Sequence, residues 1–235
     1  MNTKTRINLL SDAEIEDLYN IPVFNDQDRE VFFSLSKDDN ILISKYRTTK
    51  VKIYFILQLG YFRATNNFYT FDLKDVADDV LYLDKKYFSN SGNKLISKPY
   101  RVTIKAQQTI ILKIYNYSKW SNDIATKTST HLSELIRYYP KTPICLAELL
   151  KYFKKEKIII PKYRVLQDIF SKAIASEEKR LSKIIFSIPS HIRQRLDDLT
   201  YNSTGIAQLR AIKSDQKNFQ YTALRLEVEK AHELK

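Results

Sequence analysis

The stretch Thr48–Ala64, TTKVKIYFILQLGYFRA, decides the fold class. Val51, Phe55, Ile56, Leu59 and Phe62 recur three or four residues apart, the period of a helix and not of a strand. The spacing predicts one long helix with a crowded core face. Arg47, Lys50 and Lys52 gather at its N-terminal end, where a helix entering a groove meets phosphates. A solvated basic end is the alternative reading of the same three residues.

Towards the N-terminus, Ser11-Asp12-Ala13-Glu14 forms a capping box, and Ile15 and Leu18 mark the apolar side of a short helix stopping before Pro22. Asp26 is expected to cap a second helix carrying Val31, Phe32 and Leu35. Ser36 starts a third, with Ile41 and Leu42 inward and Asp38 and Asp39 in its first turn, where the helix dipole favours acids.

Towards the C-terminus, Asp72 opens a helix with Leu73, Val76, Val80 and Leu83 as its stripe. Ser89–Asn93, SNSGN, is the clearest loop and the expected subdomain boundary. In KLISKPYRVTIKAQQTIILKI (94–114), Pro99 suits a first helical turn, and Ile104, Ile111 and Ile114 form the core side. Its β-branched T-I-I-L run leaves a strand open as an alternative. Helices follow over Ser121–Tyr139, from Thr142 through the lysines 151–157, from Lys162 to Phe186 and from Pro189 through Leu199. Asn202–Gly205 is a break and Asp215–Lys235 a last helix.

The expected fold is therefore all-α: two helix-turn-helix-like subdomains, 1–88 and 94–200, joined by a short loop, with a helical tail over 201–235. Composition agrees, since 3 Gly and 6 Pro in 235 residues favour long helices over a many-turned sandwich.

Charge narrows the function. Residues 1–44 hold 4 basic and 9 acidic residues, whereas the remainder holds 35 and 18, so the net charge of +12 is concentrated behind an acidic opening segment. Such a basic body points to a polyanionic partner. One cysteine, Cys145, excludes a disulfide framework or a thiolate zinc site within the chain. The opening MNTKTRINLLSDAEIEDL has no apolar signal core and no run approaches a membrane span, so a soluble, cytoplasmic, nucleoid-associated protein is expected.

No phosphate-binding glycine loop occurs, and His131, His191 and His232 show no metal-ligand spacing. The pairs Asp38-Asp39, Asp78-Asp79 and Asp197-Asp198 read as solvated charges on helices, and Cys145 as a small core residue. The expectation is no catalytic centre, metal, cofactor or small-molecule substrate.

Several segments, in order, resemble the amino-terminal region of replicative transposases of the Tn-three family. They are LLSDAEIEDLYNIP (9–22), FFSLSKDD (32–39), FILQLGYFR (55–63), KIIIPKYRVLQDIFSKAIASEEKRL (157–181), IPSHIRQRLDDL (188–199) and KNFQYTALRLEVEK (217–230). The resemblance implies a pair of helical subdomains that recognise the terminal inverted repeats of a bacterial transposon. It also implies that the metal-dependent nuclease lies outside this chain, which is then not an enzyme by itself. Where the family has an Arg-rich stretch with Trp and His, this sequence has NSGNKLISKPYRV (90–102), which suits phosphate contact better than base reading.

On charge and resemblance together, the residues expected to contact double-stranded DNA are Arg47, Lys50 and Lys52 in the first subdomain and Lys94, Lys98, Arg101 and Lys105 in the second. Lys154, Lys155, Lys162 and Arg164 rank behind them. Lysines anchor phosphates, and arginines suit bidentate base contacts. A full-length transposase or a second copy is the expected protein partner. A helical protein-interaction module, such as a regulator or inhibitor of transposition, and a small nuclease are the rival readings.

Overall fold

A computed structural model of the chain describes residues 7–89, 97–139, 141–201 and 225. It is all-α, as the periodicity predicts, with ten α-helices and one short 3-10 helix among the described residues. Extended pairing there is limited to one isolated parallel bridge, Ser118 to Ile158. The chain forms two compact units, Met1–Ile174 and Ala175–Lys235.

The first unit is built around α4 (Thr49–Thr65). Every residue from Ile53 to Phe62 is buried. A helix apolar on all sides must be enclosed on all sides, and four helices pack on it: α2 (Asp26–Phe32), α3 (Lys37–Ser44), α5 (Ala77–Tyr87) and α6 (Arg101–Tyr115). The sequence predicted one crowded face; Tyr54, Leu57 and Tyr61 are enclosed as well. Gly60 is the close-approach point: a Cβ there would collide with the Phe33 ring.

Local signals placed the helix starts well. Ser11 caps α1 (Asp12–Tyr19) and Ser36 caps α3, each with a reciprocal capping box, and Ser121 caps α7 (Asn122–Tyr138). The cap of α2 is Asn25, not Asp26, because the Asn25 side chain accepts the Asp28 N–H. Asp72 leads into the 3-10 helix Leu73–Val76 and then α5. Pro99 precedes α6 rather than lying in its first turn, and the T-I-I-L run is helical.

Some inward assignments need correction. Ile41 is 59% exposed and Ile43 takes the core position; on α2, Val31 is 64% exposed and Phe33 is buried. α2 spans only seven residues, and Phe33, its C-cap, turns in beside Gly60. On α3 the buried positions are Asp39 and Ile43, four residues apart on one face. Ile114 is also exposed.

A second hydrophobic core joins α7, α8 (Thr142–Lys155) and the first part of α9 (Tyr163–Ser187) through Leu132, Leu146, Leu149, Phe153, Leu166 and Phe170. Cys145 is buried there, as expected of a small core residue. The N-terminal segment latches onto this core. Leu9 N–H and Leu10 N–H donate to Tyr163 Oη at 3.0 and 3.3 Å, Gln167 Nε2 to Ile7 O at 2.9 Å, and Tyr19 Oη to Pro161 O at 2.8 Å.

In the second unit, α10 (Ser190–Tyr201) follows the turn at Ile188-Pro189. Arg193 donates to Phe186 O and Ile188 O and lies over the Phe186 ring, closing the end of α9. The expected break at 202–205 and helix over 215–235 fall outside the described residues, apart from a helical Arg225.

Candidate nucleic-acid interface

The buried charges come first, because they show which charges are already committed. Asp39 and Asp79 are buried, not solvated as their pairings with Asp38 and Asp78 suggested. Arg63 Nη2 donates to Asp39 at 2.7 Å, and its other nitrogens reach Tyr115 Oη, Phe32 O and Ser34 O. Burial alone would raise the Asp39 pKa. The Ser36 N–H and hydroxyl and the Arg63 guanidinium outweigh it and hold the carboxyl below its ordinary range. Arg29 Nε donates to Asp79 at 2.7 Å and Tyr61 Oη donates to the other carboxylate oxygen at 2.6 Å. Burial, then the Asp79 charge, pushes the Tyr61 hydroxyl far above its usual value.

These contacts explain QLGYFR (58–63). Gln58 Nε2 donates to Gln107 Oε1 at 2.7 Å and Gln107 Nε2 to Val51 O at 2.9 Å, joining α4 to α6. Leu59 and Phe62 fill the core, Gly60 admits Phe33, Tyr61 holds Asp79 and Arg63 holds Asp39. The segment is structural throughout.

The expected DNA contacts behave differently. Lys94 lies outside the described residues. Lys98 is held by Asp72, through its backbone N–H at 3.2 Å and its ammonium at 3.6 Å. The other nine form no ion pair among the described residues. Arg47 is exposed and Lys50 and Lys52 half-buried at the start of α4, whose Thr48 side chain makes no cap hydrogen bond. Arg101 and Lys105 are exposed on α6, Lys154 and Lys155 on the last turn of α8, and Lys162 and Arg164 at the start of α9.

Two of the nine share a cavity of about 500 Å³ in the first unit. Lys105, Gln108, Thr109 and Leu112 line it from one face of α6. The 67–70 segment after α4, and Lys119 with Trp120, form further walls. Ile159–Lys162 and Val165 close it. The walls are fixed by backbone: Asn66, Asn116 and Lys157 adopt left-handed conformations after their helices. Ser118 N–H donates to Lys157 O at 2.7 Å and Ile159 N–H to Ser118 O at 3.1 Å, zipping two walls together. Lys119 was not among the expected contacts. The only signal for it was its place beside the sole tryptophan.

No group of three or more His, Cys, Asp or Glu side chains converges among the described residues. No helix there is long and apolar enough to cross a membrane.

The fold defines an all-α class of protein, and comparison with known families gives the particular family. The family model described as a domain of unknown function, DUF4158, matches residues 9–173, and the chain belongs to that family, a domain found in Tn-three family transposases. No curated protein matches the chain.

Proposed function

We propose that this protein binds double-stranded DNA at the terminal inverted repeats of a transposon, as a non-catalytic part of the transposition machinery working in the bacterial cytoplasm on the nucleoid. One observation carries the reading. Nine of the nineteen acids of the first unit are taken up by caps and by Arg29, Arg63, Lys86, Lys98 and Lys151. Arg47, Lys50, Lys52, Arg101, Lys105, Lys154, Lys155, Lys162 and Arg164 meanwhile form no ion pair among the described residues. Unpaired cations on helix ends are the groups that exchange counterions for phosphates. Family membership and the ordered resemblance over 9–230 support transposon ends as the target.

The test is a gel shift with two duplexes, one carrying a matching transposon inverted repeat and one scrambled at the same composition. The reading expects both to bind and the repeat to bind more tightly; equal, salt-insensitive or absent binding contradicts it.

A second reading has one observation behind it. Leu181, Ile184 and Ile185 recur on one face of α9 and are 44–52% exposed, as a helix does when it meets another protein. Hetero-oligomerisation with a transposase without affinity for DNA would favour a regulator or inhibitor of transposition.

A further inference from the structure

We propose that the cavity formed by α6, the 67–70 segment, Lys119-Trp120 and the 159–165 segment is a pocket for one nucleotide: an unstacked base held on the aromatic wall with its phosphate on the lysines. In the setting of the proposed function, the occupant is an unpaired nucleotide of the bound DNA.

The lining chemistry selects this class of ligand. Lys105, Lys119 and Lys162 come from three different elements, and no carboxylate lines the cavity. None of the three lysines forms an ion pair among the described residues. The smaller cavity of the same unit, about 280 Å³, shows the contrast: Asp75, Asp78 and Asp79 line it beside Arg29 and Lys74, so it offers an anion nothing. Three lysines without a counter-charge call for an anion of more than one charge or for a phosphodiester beside its neighbours.

A phosphate alone needs no aromatic recess; duplex phosphates are met on an open basic face. This cavity is lined by Tyr19, Phe68, Tyr69 and Trp120. Trp120 is propped edge-on against Phe153, with ring centroids 6.0 Å apart and planes at 90°. Aromatic faces beside cations are how proteins hold unstacked bases. Two amides complete the set. Buried Asn67 accepts the Phe68 N–H on Oδ1 at 2.8 Å, which orients its amide, and Gln108 projects from α6. Asn and Gln amides match base edges in donor and acceptor pattern. The volume lies in the range of about 300–1,000 Å³ of single-ligand sites. The zipped Ser118–Ile159 walls hold the pocket open in advance, so little ordering is needed on binding.

The sole tryptophan provides the readout. The full chain is titrated, following Trp120 fluorescence, with a deoxynucleoside monophosphate, with a duplex carrying a single-nucleotide bulge and with the fully paired duplex. The expected result is quenching by the monophosphate or the bulged duplex, with the bulged duplex bound more tightly than the paired one. In Lys105→Ala/Lys162→Ala the quenching affinity should fall about tenfold or more. Lys113→Ala, an exposed lysine of α6 outside the cavity, leaves it unchanged. Trp120→Ala, which removes part of the aromatic wall, should lose the preference for the bulge, read by anisotropy of labelled DNA. Circular dichroism melting confirms that each variant is folded. Quenching by the monophosphate without duplex binding supports the pocket and contradicts the proposed function. Duplex binding without bulge preference and without quenching in any arm overturns the pocket and leaves the proposed function standing. Quenching that survives Lys105→Ala/Lys162→Ala overturns the pocket as well.

Discussion

Replacing Arg63 with methionine tests the claim that the QLGYFR segment (58–63) is structural. The side chain makes four hydrogen bonds: to Asp39 Oδ2 at 2.7 Å, to Tyr115 Oη at 2.8 Å and to the carbonyls of Phe32 and Ser34. Asp39 is only 4% exposed. Methionine preserves most of the volume but leaves that carboxylate buried without its cation. Breaking a buried pair from one side costs about 3–5 kcal/mol. For a chain of this size each 1 kcal/mol moves the melting midpoint by ~2–4 °C, giving a drop of roughly 6–20 °C. Thermal and urea unfolding followed by circular dichroism measure it. The double variant Asp39→Asn/Arg63→Met should recover part of the loss, because the stranded charge is gone; coupling of about 0.5–3 kcal/mol is expected for contacting residues. Below its transition, folded Arg63→Met should bind duplex DNA as the parent does. A midpoint within about 1 kcal/mol of the parent, or a folded variant that loses DNA, would refute the reasoning.

Asp39 also sets an acid limit. Its folded pKa lies below the ordinary carboxylate value, so its contribution is fully present above the unfolded pKa and is lost as pH falls through the folded one. Urea midpoints measured from pH 7 downward should therefore decline through the acid range, with Asp39→Asn showing a shallower decline. Gly60→Ala should destabilise the fold by about 1–3 kcal/mol, since the new methyl meets the buried Phe33 ring, even though alanine favours a helix by ~1 kcal/mol. Tyr61→Phe should cost about 1–2 kcal/mol in the same assay, because Asp79 keeps Arg29 but loses the 2.6 Å hydroxyl bond. Charge-neutralising Arg47, Lys50 and Lys52 together should weaken binding to the repeat and the scrambled duplex alike and lower the salt slope by about 3.

The legible parts of the fold were those written locally. Ser11 with Glu14 and Ser36 with Asp39 lie three positions apart, and both capping boxes form. Leu73, Val76, Val80 and Leu83 sit at the spacing that buries them. What failed depended on distant partners. Asp39 reads as a helix-start acid, yet its cation is Arg63; Asp79 reads as solvated, yet Arg29 is fifty residues earlier. Val31 and Phe33 are equally apolar in the sequence, and only the gap at Gly60 decides which one enters the core. The candidate site was legible as charge but not as shape. Lys105 and Lys162 lie fifty-seven residues apart, and no spacing in the chain reveals that a backbone bridge at Ser118 brings them to one cavity with Lys119.

The central claim is that the uncommitted cations engage DNA phosphates. Fluorescence anisotropy of the inverted-repeat duplex, titrated with the full chain between about 50 and 200 mM salt, measures this directly. With about six phosphates neutralised, the logarithm of affinity should fall linearly with the logarithm of salt at a slope near −5. A slope near zero, or no binding at the lowest salt, would contradict the account.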